Sequence, residues 1–299
     1  MCGIVGFFLK NRTLEPRLGE LFAPMLICMG SRGLDSSGLA IYGDDVPADR
    51  IKITLRHDRE DYDWQTLVGE LERRFDGRPA LLVNRNYAVI KIAADERQLR
   101  AFMAAAGSEL RIMSIGRSIE IFKEVGSPQA IVERLGIRRK QGSHVIGHTR
   151  MATESAVTTD GSHPFSTGLD LCLVHNGSLS NHNRLRQLLA REGIDFRTDN
   201  DSEVAAGYLM WRLREGDTLE QALGAARSAL DGFYTFAIGT ADGFAVLRDP
   251  IGCKPAVLAE TADYVAMASE FQALADLPGM DCARIWEPKP GTIYTWARN

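Results

Sequence analysis

Residues 1–8 read MCGIVGFF, in which a cysteine directly follows the initiator methionine. The small and apolar residues behind it, from Gly3 to Phe8, predict a buried β-strand. Removal of Met1 would make Cys2 the amino terminus of the chain. A cysteine near a terminus is most often structural, so the position of Cys2 alone does not establish a chemical role.

The overall composition is that of an ordinary globular protein. The chain has 299 residues, of which 45% are hydrophobic and 25% charged, and its 35 Lys and Arg nearly balance its 39 Asp and Glu. This length suffices for one large domain or for a domain with a sizeable insertion. The charge balance indicates neither nucleic acid nor a membrane surface as a partner. Because no segment has about 18 consecutive apolar residues and no basic region precedes the first apolar stretch, we expect a cytoplasmic protein.

The cysteine content indicates neither a disulfide framework nor a metal or cofactor site. The five cysteines are an odd number, lie far apart and form no CxxC pair, unlike the cysteines of such sites. We therefore expect no metal and no cofactor. Four of the cysteines are interpreted as core thiols: Cys28, Cys172, Cys253 and Cys282.

Helices and short strands alternate along the rest of the chain. Leucine and methionine recur at three- and four-residue spacing from Leu14 to Met29, which predicts a helix kinked at Pro24. Further elements are predicted from similar patterns, with strands at 38–42, 144–148 and 171–175 and helices at 202–214 and 218–230. Five short strands follow in succession: FYTFAIG, FAVLRD, PAVLA, YVAMAS and GTIYTW. A tail of this kind favours an antiparallel sheet with helices on its faces.

Residues 44–116 have an alternation of their own. The strand-like segments IKITL, ALLV, YAVIKIA and LRIMSI are interleaved with two amphipathic helices, one around Trp64 and one around Leu99. This βαβ(β)αβ order is typical of a split-βαβ fold. We therefore predict a small α+β subdomain at 44–116, inserted into a domain that spans 2–299. The insertion contains no recognisable catalytic motif.

Four stretches contain the residues suited to chemistry: MCGIVGF at 1–7, SRGLDSSG at 31–38, GHTRMATES at 147–155 with LVHNGSLSNHNRL at 173–185, and TDNDSEV at 198–204. Taken singly, each has a structural interpretation. HNG is usually a turn, because Asn-Gly supports a positive φ, and DNDSE before an apolar run is usually a helix cap. None of them alone supports a functional assignment.

Together and in this order, the four stretches resemble the glutamine amidotransferase domain of class II, whose members are N-terminal-nucleophile hydrolases. The resemblance extends from Cys2 to about residue 44 and from about residue 116 to the end, where LRDPIGCKPAVL and MASEFQAL also match. It implies an α+β fold of four αββα layers with two stacked, mainly antiparallel sheets. The inserted α+β subdomain would be an addition to that fold.

The resemblance implies a mechanism for Cys2. Nucleophilic catalysis needs a base within hydrogen-bond reach of the nucleophile, and a free α-amino group with a pKa of about 8 can be that base. Cys2 would supply both groups once Met1 is removed, which a small side chain at position 2 generally permits. The implied reaction is attack of the Cys2 thiolate on the side-chain amide of glutamine, release of ammonia, and hydrolysis of the thioester to glutamate.

The family pattern implies three further catalytic positions. The Asn176 side chain and the Gly177 backbone N–H match the donors of the oxyanion hole, which face the charge that develops on the amide oxygen. Arg32 matches an arginine that lies close to the nucleophile. Its implied role is to hold the loop and the amino terminus in place.

Substrate binding is implied for three residues. Arg150 matches the residue that binds the α-carboxylate of glutamine, a task suited to a planar guanidinium. Thr153 is its expected neighbour in the pocket, and Asp201 matches the acid that pairs with the α-ammonium group. Arg150 and Asp201 would together recognise an amino acid as a zwitterion. The alternative interpretation is that they form a structural ion pair.

Two histidines end predicted strands, namely His148 and His175. Metal ligation is one interpretation, but the carboxylate pattern that usually surrounds a metal-binding histidine is missing. We favour hydrogen bonds within the loops that shape the pocket.

A partner protein is implied by the reaction, because the released ammonia needs a user. The chain ends at Asn299, just after PGTIYTW, where the glutaminase domain itself is expected to end, so we expect the synthase to be a separate subunit. Chains of this kind most resemble the amidotransferase subunit of N-methylglutamate synthase and related glutamate-synthase-like complexes, whose partner subunits carry a flavin-binding synthase barrel. The 44–116 insertion is then either a docking surface or a passive elaboration of the fold.

Two other functions remain open. A catalytically silent scaffold or glutamine sensor would keep the fold and the pocket, but it would not need an intact Cys2 with Asn176 and Gly177. An N-terminal-nucleophile hydrolase of another amide is the second alternative. A peptide or acyl amide would have no use for both Arg150 and Asp201.

Overall fold

The structure, a computed structural model, describes residues 2–152 and 156–298. Its strands are β1 Gly3–Leu9, β2 Ser36–Tyr42, β3 Ile51–His57, β4 Ala80–Asn84, β5 Tyr87–Ile92, β6 Leu110–Gly116, β7 Ile119–Val125, β8 His144–Arg150, β9 Cys172–Leu179, β10 Gly232–Thr240, β11 Gly243–Arg248, β12 Val257–Glu260, β13 Tyr264–Ala268, β14 Arg284–Trp286 and β15 Ile293–Ala297. Its α-helices are α1 Leu18–Cys28, α2 Trp64–Arg74, α3 Glu96–Ala105, α4 Pro128–Arg134, α5 His182–Arg191, α6 Asp201–Arg214 and α7 Leu219–Ala229.

The strands form three sheets in the described part of the chain. A seven-stranded sheet has the order β14-β12-β13-β1-β8-β2-β7, and a four-stranded sheet has the order β15-β11-β10-β9. A second four-stranded sheet, of order β4-β5-β3-β6, is built only from residues of the 44–116 segment. All neighbouring strands within these sheets are antiparallel.

The seven-stranded sheet and the β9-containing sheet stack face to face between two helical layers. Helix α1 packs on β1 and β8, while α6 packs on β9 and α7 on β15. A Cβ placed at Gly147 of β8 would touch Phe22 of α1, and one placed at Gly239 of β10 would touch Tyr42 of β2. The first contact is between helix and sheet and the second between the two sheets. The predicted α+β fold with two stacked antiparallel sheets in an αββα arrangement is therefore confirmed.

Strand β1 lies inside this sandwich, between β8 and β13. Each of its seven residues is buried, as its apolar sequence predicts. A Cβ at Gly6 would lie 2.7 Å from the ring of Phe244 in β11, so the absence of a side chain there lets the facing sheet approach. The position of β1 fixes that of Cys2, the residue that immediately precedes it.

The first helix differs in extent from the prediction. The predicted helix from Leu14 to Met29 is a 3₁₀ turn at 12–17, then α1, then a second 3₁₀ turn at Met29–Arg32. Pro24 lies inside α1, and the helix continues past it to Cys28. The change to 3₁₀ geometry at Met29–Arg32 brings Arg32 back toward the start of β1.

Three elements, β7, α4 and β14, lie where the sequence patterns predicted none. The sequence of β7, IEIFKEV, contains three charged residues, yet six of its seven residues are buried. Buried charges require partners. Strand β3 supplies one for each glutamate of β7, while Lys123 donates to the backbone carbonyls of Asp160 and Ser162. The Nζ of Lys52 lies 3.4 Å from Glu120, and the Nε of Arg56 lies 3.1 Å from Glu124. A hydrophobicity pattern does not reveal such strands, because their polar residues face another protein layer.

The β4-β5-β3-β6 sheet packs with α2 and α3 around its own apolar cluster of thirteen buried residues. Its elements follow the predicted order, with β3, α2, β4, β5, α3 and β6 in succession. The treatment of 44–116 as an inserted subdomain of a 2–299 domain stays a prediction. No helix of the described residues is long and apolar enough to cross a membrane.

The interpretation of four cysteines as core thiols is wrong for two of them. Cys172 in β9 is buried and Cys28 is partly buried, but Cys253 and Cys282 are exposed. Both exposed cysteines lie outside the strands and α-helices. No hydrophobic periodicity is present there from which burial could be predicted.

Replacement of Gly6 by alanine tests the close packing of the two sheets. Gly6→Ala should lower the free energy of unfolding by about 1–3 kcal/mol, because the new methyl group would overlap the Phe244 ring. Equilibrium denaturation in urea measures this change. The control is Gly69→Ala in α2, where a Cβ meets no atom within 4 Å and alanine should stabilise the helix by about 0.5–1 kcal/mol. Equal stability of Gly6→Ala and the wild type would contradict the packing argument.

Candidate active site

Cys2 lies at the amino-terminal end of β1, where two separate elements hold its backbone. Its carbonyl oxygen accepts a hydrogen bond from Nε of Arg32 at 2.8 Å and another from Nδ2 of Asn176 at 3.2 Å. The thiol is partly buried, and its sulfur lies 4.0 Å from the carbonyl oxygen of Met151. The two hydrogen bonds to its carbonyl restrict the orientation of the residue that carries the thiol.

Arg32 is itself fixed by an ion pair. Its guanidinium is 7% exposed and lies 2.6 Å from a carboxylate oxygen of Glu270, which follows β13. Thr149 in β8 donates a hydrogen bond to the carbonyl of Met29 at 2.7 Å, which ties the 3₁₀ turn before Arg32 to the sheet. Sequence analysis predicted that Arg32 lies near Cys2, and the structure places it there. It did not identify Glu270, although MASEFQAL contains it.

Asn176 and Gly177 lie near the end of β9, in the other sheet. Gly177 has φ +154°, and a Cβ there would lie 2.0 Å from the carbonyl oxygen of Phe233 in β10. Only glycine therefore fits at this position. The Asn176 side chain, in contrast, reaches across to Cys2. The HNG motif, which taken singly would indicate a turn, is part of a strand, because β10 pairs with β9 through these residues.

Arg150 is the last residue of β8, and β8 pairs with β1 so that Thr149 lies opposite Gly3. This register brings Arg150 close to Cys2. Its side chain is buried, and Nη1 donates to the carbonyl of Ala156 at 3.4 Å. Thr153, the predicted neighbour of Arg150, lies outside the described residues.

Asp35 holds the chain that follows Arg150, a role that sequence analysis missed. The Asp35 carboxylate accepts a hydrogen bond from the N–H of Ala152 at 2.7 Å, and its own N–H donates to the carbonyl of Arg150 at 3.1 Å. Gly33 permits this approach, since a Cβ there would lie 2.4 Å from the carbonyl carbon of Arg150. The SRGLDSSG motif thus supports Cys2 through Arg32 and the GHTR segment through Asp35.

Asp201 is the first residue of α6, and Asn200 caps that helix by accepting from the N–H of Ser202. One carboxylate oxygen of Asp201 accepts a hydrogen bond from the backbone N–H of Leu179 at 2.9 Å. The other lies 3.3 Å from the hydroxyl of Ser202 and 3.8 Å from Nδ1 of His175. The contact with Leu179 places Asp201 beside the end of β9, three residues beyond Asn176.

Similar sequences fit this arrangement. A family model described as a glutamine amidotransferase domain matches residues 148–276. A protein of Rhizobium meliloti (strain 1021), named glutamine amidotransferase-like protein GlxB, is 55% identical over 298 residues, which are 99% of this chain and 98% of that protein. The chain belongs to the glutamine amidotransferase family. A second relative, from Methanothermobacter thermautotrophicus and provisionally named a glutamine amidotransferase, is 30% identical across 99% of both chains.

Solved structures show which fold this glutamine amidotransferase has. The glutamine phosphoribosylpyrophosphate amidotransferase of B. subtilis, solved with ADP and GMP, superimposes with a TM-score of 0.62 at 20% identity. The match covers 98% of this chain but 47% of that one, so this chain spans about half of the solved enzyme. The likeness confirms the N-terminal-nucleophile hydrolase fold.

A cluster of buried histidines lies behind the amidotransferase site. The ring of His148 stacks on that of His163 at 3.9 Å, and Nε2 of His148 lies 3.0 Å from the carbonyl oxygen of His175. Burial lowers the pKa of His148 to about 3 and also lowers the pKa values of His163 and His175. All three are therefore neutral at pH 7. Sequence analysis predicted hydrogen bonds for His148 and His175 and missed His163.

Within residues 2–152 and 156–298, no group of three or more His, Cys, Asp or Glu side chains is arranged to hold a metal ion. In the histidine cluster, Nε2 of His148 and Nδ1 of His175 instead face a carbonyl oxygen and a hydroxyl, respectively.

The neutral histidines predict a pH-dependent stability. Burial also lowers the pKa of His144, at the other end of β8, to about 3. In the unfolded chain a histidine binds a proton below about pH 6.5, whereas His144 and His148, with pKa values of about 3, do not. Each of these two should therefore reduce the free energy of unfolding by about 1.4 kcal/mol per pH unit as the pH falls below 6.5. Denaturation curves at intervals from pH 7 to pH 5 measure the slope.

His144→Gln is the matched control for this prediction. Glutamine can still donate to the carbonyl of Thr240, as Nε2 of His144 does at 2.9 Å, but it does not titrate. In this variant, the free energy of unfolding should fall less steeply with decreasing pH, by the contribution of one histidine. Stability that is constant between pH 6.5 and pH 5 would contradict the neutral assignment.

Proposed function

We propose that this amidotransferase uses Cys2 to hydrolyse the side-chain amide of glutamine, and that it delivers the ammonia to a separate synthase subunit. The observation that carries the proposal is the position of Cys2 at the amino-terminal end of the buried strand β1, with its carbonyl oxygen accepting hydrogen bonds from Arg32 and Asn176. These bonds fix the backbone of the residue and leave its thiol and its α-nitrogen for chemistry. The mechanism requires that Met1 be removed first.

The proton transfers of the proposed reaction need only the thiol and α-amine of Cys2, the substrate and water. The α-amine takes the thiol proton, and the thiolate attacks the amide carbon to form a tetrahedral oxyanion. The ammonium group then gives its proton to the departing nitrogen, so that ammonia leaves and a γ-glutamyl thioester remains. Water attacks the thioester after losing a proton to the amine, which releases glutamate and regenerates the thiol.

Asn176 and Gly177 are proposed as the donors to the oxyanion. The Asn176 amide has two N–H groups, of which one donates to the Cys2 carbonyl and the other remains for the substrate. A pre-positioned donor of this kind stabilises the transition state more than the ground state. Arg32 contributes indirectly, since it holds the Cys2 carbonyl rather than the reacting atoms.

Arg150, Thr153 and Asp201 are proposed to bind the amino acid part of glutamine. Arg150 supplies a cation beside β1, and Asp201 supplies an anion beside the end of β9. The Asp201 carboxylate accepts from the N–H of Leu179 through one oxygen, and it has lone pairs left for an ammonium group. A substrate with both charges would therefore be oriented with its side-chain amide toward Cys2.

The partner is proposed from the chemistry of the product. Ammonia released into water is lost to synthesis, so a dedicated glutaminase needs an ammonia-using enzyme beside it. The sequence resemblance favours the synthase subunits of N-methylglutamate synthase or of a glutamate-synthase-like enzyme, which carry a flavin. The 44–116 segment, with its own core, is the proposed inserted subdomain and the proposed docking element.

Cys2→Ala tests the nucleophile. The reagent 6-diazo-5-oxo-L-norleucine, a glutamine analogue that alkylates such thiols, should add once to untagged wild-type protein that has lost Met1, and intact mass with peptide mapping should locate the adduct on Cys2. Cys2→Ala should not react and should remain folded. The matched control is Cys282→Ser, which removes an exposed thiol and should label as the wild type does. Labelling of Cys2→Ala at the wild-type rate would refute the mechanism.

Addition of the synthase subunits tests the partner. Glutamate production from glutamine should rise several-fold when the purified synthase and its acceptor are added, because acceptor binding commonly closes an amidotransferase site. The control mixture contains the Cys2→Ala variant and should form no glutamate. An identical rate with and without the synthase would count against a coupled complex.

A further inference from the structure

The hydroxyl of Ser202 lies among three polar groups, of which the proposed mechanism uses Asp201 but not the two histidines. It lies 2.9 Å from Nε2 of His163, 2.9 Å from Nδ1 of His175 and 3.3 Å from a carboxylate oxygen of Asp201. Ser202 is 1% exposed, and His163 and His175 are 5% and 3% exposed. Bulk water therefore cannot hydrogen-bond to Ser202, His163 or His175, and these residues depend on protein groups for their hydrogen bonds.

The protonation of His163 follows from its unpaired nitrogen. Nδ1 of His163 is buried and has no hydrogen-bond partner. A buried N–H without an acceptor is rarer in proteins than a buried acceptor without a donor. His163 is therefore best satisfied with its proton on Nε2, which faces Ser202, whereas His175 also has a backbone hydrogen bond to Phe233 on the other side of its ring.

The hydroxyl of Ser202 has two acceptor lone pairs and one proton. One lone pair accepts from Nε2 of His163, which leaves the proton for the side where Nδ1 of His175 and the Asp201 carboxylate lie. A carboxylate can only accept, so Ser202 is the donor in its contact with Asp201.

The same cluster also contacts the peptide that precedes Asn176. His148 stacks on His163 and lies within 3.0 Å of the carbonyl oxygen of His175. A carbonyl oxygen can only accept, so the proton of His148 lies on Nε2. The cluster is therefore bonded to Asp201 on one side and to the backbone of β9 at Asn176 on the other.

We propose that Ser202, His163 and His175 are positioning residues that orient the Asp201 carboxylate toward the α-ammonium group of glutamine. This inference rests on the proposed function, since it presumes that Asp201 binds the substrate amine. None of the three is proposed to contact the substrate. They act by fixing one oxygen of Asp201 through Ser202, while Leu179 fixes the other.

The test compares two reagents that differ only in the α-amino group. These are 6-diazo-5-oxo-L-norleucine and 6-diazo-5-oxohexanoate, which lacks the amine. Second-order labelling rates at Cys2, followed by intact mass, give the preference for the amine in each variant. Wild type should prefer the amine by roughly tenfold or more, the range of a charged hydrogen bond, and Asp201→Ala should lose the preference.

Ser202→Ala should lower the preference by roughly threefold to tenfold, with little change in the rate toward the reagent that lacks the amine. The matched control is Ser143→Ala, which removes a buried hydroxyl 2.9 Å from Nδ1 of His144 at the far end of β8 and should keep the preference. An unchanged preference in Ser202→Ala, or an equal loss of rate with both reagents, would overturn the inference. Failure of the wild type to be labelled at Cys2 would instead overturn the proposed function and this inference with it.

A second pair of variants applies if Ser202→Ala does not fold. Gln can place its amide nitrogen near Nε2 of His163, so His163→Gln should keep the donor to Ser202 and the preference for the amine. His163→Leu removes the donor and should reduce the preference as Ser202→Ala does. Equal preferences in His163→Gln and His163→Leu would show that the hydrogen bond has no positioning role.

Discussion

The position of Cys2 depends on the burial of β1 between β8 and β13. A strand that is buried on both faces and paired on both edges has little freedom to shift, because a slip of one residue would place a side chain where Gly6 leaves room for the Phe244 ring. The position of Cys2, which immediately precedes the strand, is therefore fixed in the fold. The bonds from Arg32 and Asn176 to the Cys2 carbonyl then fix its backbone.

The site is assembled from both sheets, and this requires close contact between them. Cys2 and Arg150 come from neighbouring strands of the seven-stranded sheet, while Asn176 comes from the edge strand of the other sheet. Gly6 and Gly239 lie where a side chain would overlap an aromatic ring of the facing sheet. Catalytic geometry and core packing are consequently coupled in this protein.

Polar groups are buried in two different ways in the fold. Near the site, neutral histidines and a serine exchange hydrogen bonds, which avoids the large cost of desolvating a charge. Between β7 and β3, in contrast, the buried groups are ions paired with opposite ions, such as Arg56 with Glu124.

The sequence by itself determined the fold class and the family, because both can be inferred from local hydrophobic patterns and from the order of short motifs. The apolar run after Cys2, the amphipathic helices and the order of MCGIVGF, GHTR, HNG and TDNDSEV sufficed for that. The tertiary structure alone decided which side chains meet. Glu270 with Arg32, Asp35 with Ala152, and Ser202 with two histidines are contacts between residues far apart in sequence. Local patterns contain no information about such contacts, since they depend on strand register and on which charges are buried together. For the same reason β7 was missed, because its charged residues are satisfied by groups that lie elsewhere in the chain, such as Lys52 and Arg56 of β3.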